Sequence, residues 1–220
     1  MKLHIYLFRH GQSYFNREKK FTGWIDSGLT PKGVEDAKKV AEKLKGKRID
    51  VAFQTHLSRS KDTLKNVLKY HPECKVIITN DKMLERNYGS LCGLSHESLV
   101  SVKGKELYNS LVKSKKIPLM KGFDKAHMIE LLGTAYKQMI RRSYNVPPPN
   151  GESVAMVRER VMSFIKELVA FMKREKVNVA ISAHGNSMRP FRQYFEKLTV
   201  KEMMELENPW DDYFEYVIEA

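Results

Sequence analysis

Leu3-His4-Ile5-Tyr6-Leu7-Phe8 runs straight into Arg9-His10-Gly11, and that junction decides the fold. Polar and apolar residues alternate only weakly before Arg9, which reads as a central strand buried on both faces, as in a parallel sheet. Its carboxyl end then delivers Arg9 and His10 to the edge where open α/β sheets present loops and helix N-termini to ligands. A second apolar run, Val177 to Ser182, leads to Ala183-His184-Gly185-Asn186, so two strands finish near a His-Gly pair. Between them, Thr30-Pro31 with Glu35 and the stripe Val34, Ala37, Val40, Ala41 and Leu44 reads as a capped amphipathic helix ending near Gly46. Asp50 to Thr55 reads as a strand, Arg59 to Tyr70 as a helix and Lys75 to Thr79 as a strand. Ser153 to Lys176 carries a long helical pattern through Val157, Val161, Phe164, Leu168 and Phe171, and Tyr213 to Ile218 reads as an edge strand. This alternation predicts an α/β fold with a parallel sheet and right-handed helical crossovers.

No repeat or low-complexity linker interrupts the chain, and Pro147-Pro148-Pro149 with Asn150-Gly151 reads as a rigid loop within one domain spanning 1–220. Ser98 to Gln138, rich in lysine and carrying Gly104, Gly122 and Gly133, reads as short helices beside the sheet, either a cap over a site or peripheral packing. A chain of 220 residues, 42% hydrophobic and 30% charged, suits one core of ordinary size. The apolar run at the N-terminus is of strand length, not that of a signal peptide or a membrane span, so a cytoplasmic enzyme is expected, with no membrane partner. Cys74 and Cys92 have no CxxC spacing, which argues against a disulfide or a metal site. The net charge of +13 fits nucleic acid, a membrane surface, a small anion or a solvated lysine-rich surface. No stacking-aromatic or basic-helix motif supports nucleic acid as partner. The oligomeric state is open, a homo-oligomer included.

A neutral imidazole is nucleophilic near pH 7, and a carbonyl accepting from one ring nitrogen would leave the other free to attack phosphorus. His10 is the candidate nucleophile. His184, at the second strand end, could bond a phosphoryl oxygen opposite it and stabilise the charge spread there.

Leu7-Phe8-Arg9-His10-Gly11-Gln12-Ser13 with Asn16 resembles the signature of the histidine phosphatase superfamily. Phe21-Thr22-Gly23-Trp24, Leu29-Thr30-Pro31-Lys32-Gly33, Glu85-Arg86-Asn87-Tyr88-Gly89, Arg141-Arg142-Ser143-Tyr144 and Gly151-Glu152-Ser153 resemble the cofactor-dependent phosphoglycerate mutases within it. The resemblance spans Met1 to about Leu94 and Arg141 to about Leu206. It implies a three-layer α/β/α fold with a mostly parallel central sheet, and a small phosphorylated substrate. His10 would carry the phosphoryl group, with Arg9, Arg59 and His184 gripping its oxygens and Asn16 adding a contact. Glu85 would act as general acid, a role a carboxyl at a phosphate site can fill. Arg86, Arg141 and Arg142, with Tyr88 and the backbone at Thr22 and Gly23, would hold the substrate's carboxylate and second phosphate, since the planar guanidinium meets such oxygens two at a time. Gly185 and Asn186, beside His184, complete the expected binding set. The implied reaction interconverts 3-phosphoglycerate and 2-phosphoglycerate, primed by 2,3-bisphosphoglycerate and without a metal.

The sequence departs from that pattern in three places. His96 stands where the family usually has a substrate-binding lysine. The stretch between Leu94 and Arg141 is longer by about one helical hairpin. Pro149 runs almost directly into Gly151-Glu152-Ser153, and the family's usual closing tail is missing after Tyr213 to Ile218. A less closed site admits water to a phosphohistidine, so a phosphatase of small phosphate esters or of bisphosphoglycerate is the alternative activity.

Overall fold

In the computed structural model, which describes Met1–Ala220, the opening stretch forms strand β1 (Lys2–Arg9), with Ile5, Leu7 and Phe8 fully buried. The chain continues through α1 (Tyr14–Arg17), α2 (Pro31–Leu44), β2 (Val51–Gln54), α3 (Ser58–Val67), β3 (Val76–Thr79), α4 (His96–Lys113) and α5 (Gly122–Arg142). It closes with α6 (Val154–Glu175), β4 (Val179–Ala183), α7 (Gly185–Glu196), α8 (Val200–Glu205) and β5 (Tyr213–Glu219). The five strands form one sheet in the order β3-β2-β4-β1-β5. Only the edge strand β5 is antiparallel.

Alternation along β1 sorts its side chains to two faces. Leu3, Ile5 and Leu7 join a core with Val157, Val161, Phe164 and Phe191 of α6 and α7. Tyr6 and Phe8 join Val40, Leu44, Leu64 and Val67 of α2 and α3 on the other face. The sheet is therefore the middle of three layers. Thr30 caps α2 by accepting from Gly33 N, and Pro31 occupies its first turn, where a missing N–H costs nothing. β3 is an edge strand whose Val76 and Ile77 are about half exposed.

The segment expected to hold short helices instead forms two long ones, α4 of 18 residues and α5 of 21, packed as a hairpin. Its glycines do not break the helices; they let them touch. A Cβ on Gly104 would lie 2.0 Å from Ile129 O, and one on Gly133 2.0 Å from Val100 O. The base of the hairpin packs Leu99 and Ile140 on Phe21 and Leu91. His96 begins α4 and Arg141 and Arg142 end α5, so helix contact sets where these three side chains stand. Gly133→Ala gains about 1 kcal/mol of helix propensity but forces a backbone clash costing about 1–3 kcal/mol. The thermal midpoint should fall by up to about 8 °C at this chain length, and a raised midpoint in calorimetry would refute the close-contact reading.

Candidate active site

The parallel pairing of β1 with β4 sets Arg9 opposite Ala183, and His10 N extends the ladder by donating to Ala183 O at 3.0 Å. The next residues on the two strands, His10 and His184, thus meet with ring centroids 5.0 Å apart. Both are buried, as is Arg59 at the start of α3. His10 Nδ1 lies 2.7 Å from Gly11 O, which fixes the proton on Nδ1 and leaves Nε2 with its lone pair. That carbonyl stands where it does because Gly11 packs on α2's first turn: a Cβ on Gly11 would meet Gly33 O at 2.0 Å.

Donors around this pair lack protein acceptors. Thr55 Oγ1 lies 2.9 Å from His184 Nε2; with the hydroxyl donating, Nδ1 of His184 carries a proton, and it is buried without a partner. Arg59 donates from Nη1 to Ile25 O and from Nη2 to Gly23 O, but its buried Nε has no acceptor. Arg9 donates from Nη1 to Asn208 O, packs its guanidinium 5.0 Å from the Trp210 ring, and also keeps a buried, unpartnered Nε. Buried donors of native proteins are almost always satisfied. These exceptions cluster beside one nucleophilic nitrogen, as an anion's oxygens require.

Above them lies a cavity of 260 Å³ lined by Arg9, Asn16, Thr22, Gly23, Glu85, Tyr88, His96, Arg141, Arg142, Gly185 and Asn186. All were singled out from the sequence. Glu85 Oε1 accepts from Arg86 N at 2.8 Å and Asn186 N at 3.1 Å, which leaves Oε2 for the cavity. Asn16 Oδ1 accepts from Ser13 in a capping box, so its amide N–H groups remain available. Asn186 donates to Tyr88 Oη at 3.4 Å. The His96 ring packs at a tilt of 59° against Phe21, with centroids 4.5 Å apart.

Arg86 is the correction. It is completely buried and donates to three backbone carbonyls, those of Glu152 (2.6 Å), Ile140 (2.9 Å) and Val146 (3.2 Å). It does not line the cavity; it ties the Glu85 loop to the end of α5 and to the loop before α6. Sequence reasoning also missed Arg189, Trp210, Asn208 and Lys20 in the lining. Arg189 was findable, because it lies three and four residues beyond Asn186 and Gly185 and so shares their face of α7. Trp210 had no such signal, since it arrives from a loop between α8 and β5.

Burial first, then Arg59 and Arg9, holds His10 well below the ordinary histidine range. Burial, Arg59 and His10 do the same to His184. Burial with Arg141, Lys137 and Lys19 lowers His96 to about 4. All three imidazoles are therefore neutral at pH 7. His10, Glu85 and His184 each offer a metal-ligand atom, mutually within 4.8 Å, but the guanidiniums of Arg9 and Arg59 beside them oppose a cation and favour an anion.

Fold and site together define an α/β enzyme whose paired histidines and unpartnered arginine donors suit a phosphorylated ligand. The model of the histidine phosphatase superfamily (branch 1) matches residues 5–121 and 116–213, and the chain belongs to that superfamily. A 2,3-bisphosphoglycerate-dependent phosphoglycerate mutase of Pseudoalteromonas atlantica is 32% identical over 90% of this chain and 86% of its own. A 2,3-bisphosphoglycerate-dependent phosphoglycerate mutase 2 of Lactiplantibacillus plantarum is 34% identical over 92% and 88%. Among solved structures, phosphoglycerate mutase from Bacillus anthracis superposes with a TM-score of 0.67 at 20% identity, over 99% of this chain and 88% of that one. A mycobacterial glucosyl-3-phosphoglycerate phosphatase superposes at 0.68 with 19% identity, over 98% and 90%. At such identity the structures share the fold. No helix is long and apolar enough to cross a membrane.

Replacing Arg86 by Met should strand three backbone carbonyls, that of Ile140 fully buried, and cost about 3 kcal/mol of stability. A variant of wild-type stability with only a raised KM would return Arg86 to the ligand. For His10 and His184, the folded-state pKa lies below the unfolded one, so each contributes stability above pH 6.5 that is lost as protons are taken up below it. Imidazole ¹⁵N shifts should show both rings neutral at pH 6.5; an ordinary half-protonated signal from either contradicts the burial argument.

Proposed function

We propose that this enzyme is a 2,3-bisphosphoglycerate-dependent phosphoglycerate mutase, working through phospho-His10 and without a metal. The observation that carries the reading is the cavity's second cationic end. Arg141 and Arg142 line it with no acceptor in the protein, in the same lining as Arg9, Glu85 and Tyr88. Hydrolysis of a simple phosphate ester needs only the deep end. A ligand with a second anionic group uses both.

The chemistry follows from the donors. His10 Nε2 forms the N–P bond as the ester P–O bond breaks. Arg9, Arg59 and His184 offer Nε, Nε and Nδ1 to the three equatorial oxygens, whose charge grows in a loose transition state. Glu85 gives its proton to the departing oxygen and regains one from the hydroxyl that accepts the phosphoryl group in the next half-reaction. In this scheme 2,3-bisphosphoglycerate phosphorylates His10. Phospho-His10 then passes its group to O2 of 3-phosphoglycerate, and the bisphosphate so formed turns and returns its 3-phosphoryl group. Thr22 and Gly23 backbone, Asn16, Tyr88, His96, Gly185 and Asn186 are the remaining contacts proposed for the ligand.

The alternative, a phosphatase of small esters or of bisphosphoglycerate, keeps the same deep end and differs in the acceptor. One assay separates the two. Purified enzyme receives 3-phosphoglycerate with and without catalytic 2,3-bisphosphoglycerate, and 2-phosphoglycerate and free phosphate are followed in the same tube. Primer-dependent 2-phosphoglycerate with little phosphate is expected; phosphate without isomerisation assigns the phosphatase. Glu85→Gln should slow transfer from 3-phosphoglycerate to His10 by about 100-fold or more. An activated aryl phosphate should lose far less, and equal slowing of both contradicts the acid role.

A further inference from the structure

With Arg86 committed to backbone carbonyls, the fourth arginine of the cavity, beside Arg9, Arg141 and Arg142, is Arg189. It stands on the first turns of α7, on the same face as Gly185 and Asn186. Apart from the exposed Arg141 and Arg142 at the end of α5, the other guanidiniums packed into this half of the molecule have protein acceptors. Arg9 has Asn208 O, Arg59 has Gly23 O and Ile25 O, and Arg160 has Glu152 with three backbone carbonyls. Arg189 has none. Burial disfavours its charge, Tyr88 and Glu207 partly restore it, Arg142 opposes it, and no hydrogen bond contributes. A largely buried cation without an acceptor is costly unless an anion joins it.

Beside it, the loop after α8 brings Trp210 into the lining. The Trp210 ring packs under Arg9, and its Nε1 is buried with no partner. Asn208 anchors that loop by donating from Nδ2 to Gly185 O at 2.9 Å, one turn before Arg189 on the same helix. This wall therefore has a planar fork of N–H donors at Arg189 and, in the adjoining Trp210, a buried indole N–H, both without a protein acceptor, and the fork matches the two coplanar oxygens of a carboxylate. Glu207, the wall's own carboxylate, lies within electrostatic range of Arg189 but forms no ion pair with it.

We infer that Arg189 and Trp210 form a carboxylate subsite that makes the enzyme select phosphorylated hydroxy acids over phosphorylated alcohols. The inference rests on the proposed reaction and names which groups read the acid end of its substrate. Arg141 and Arg142 are then left to the ligand's other phosphate.

The test measures kcat/KM for phosphoryl transfer to His10 from 3-phosphoglycerate and from glycerol 3-phosphate, which lacks the carboxylate, and takes their ratio. Arg189→Met should lower that ratio about 10- to 100-fold, the scale of a lost hydrogen-bonded ion pair, and Arg189→Lys should recover part of it. Trp210→Phe keeps a ring under Arg9 and removes only the N–H; it should lower the ratio about 3- to 10-fold. Ratios within twofold of wild type in both Arg189→Met and Trp210→Phe, even with both activities reduced, would overturn the inference and leave the mutase reading intact. If wild type hydrolyses phosphorylated acids without isomerising them, yet the ratio still depends on Arg189, the mutase reading falls and the carboxylate subsite stands.

Discussion

The pairing of β1 with β4 is the constraint on which the site depends. Side chains along a strand alternate, and a shift of one residue in register would turn every one of them to the opposite face. With Arg9 opposite Ala183, the residues that follow are His10 and His184, brought to 5.0 Å by backbone hydrogen bonds alone. The hydrophobic layers enforce the register: Leu3, Ile5 and Leu7 belong to the α6–α7 side, Tyr6 and Phe8 to the α2–α3 side. A slip would place Tyr6 and Phe8 in space filled by Phe164 and Phe191. The packing of ordinary aliphatic and aromatic residues thus fixes the nucleophile and its partner.

What the register assembles is unfavourable in isolation. Arg59 is buried and Arg9 half-buried, Glu85 is the acidic group that acts most strongly on both, and neither pairs with it directly. Two imidazoles share the space and stay neutral, because burial and the guanidiniums leave no room for another positive charge. The neutral form is the nucleophilic one, so a field that favours an anion is compatible with the role proposed for His10. Unpaired donors and a neutral nucleophile are one electrostatic fact seen from two sides.

The sequence carried most of this, unevenly. Strands β1 and β4 and helices α2 and α6 were legible because burial imposes a period on apolar residues, and His10 and His184 because they end such runs. The hairpin of α4 and α5 was misread as short helices because glycine's usual signal is a helix break, whereas Gly104 and Gly133 serve contact between backbones that no linear pattern records. Arg86 and Arg189 make the same point for the site. Motif position drew attention to Arg86, but whether a guanidinium faces ligand or carbonyl depends on loops brought in from Ile140, Val146 and Glu152. Arg189 needed only helical periodicity from Gly185, while Trp210 needed the fold.

A mutase differs from a phosphatase in how long it retains a doubly phosphorylated intermediate while that intermediate turns. Retention demands cations that accept either end of the ligand equally well, because turning exchanges the two phosphates. Arg141 and Arg142 terminate α5, where the helix dipole already favours positive charge, so their charge is held at little cost in the empty cavity. His96, lowered to about 4 by burial first and then by Arg141, Lys137 and Lys19, is a neutral ring whose protonation an arriving phosphate anion would favour. Arg59 is buried and Arg9 is held by Asn208 O, so the His10 end is fixed, whereas Arg141 and Arg142 have no protein acceptor to hold them; a ligand that turned in this cavity, as the proposed reaction requires, would exchange its phosphates between the two.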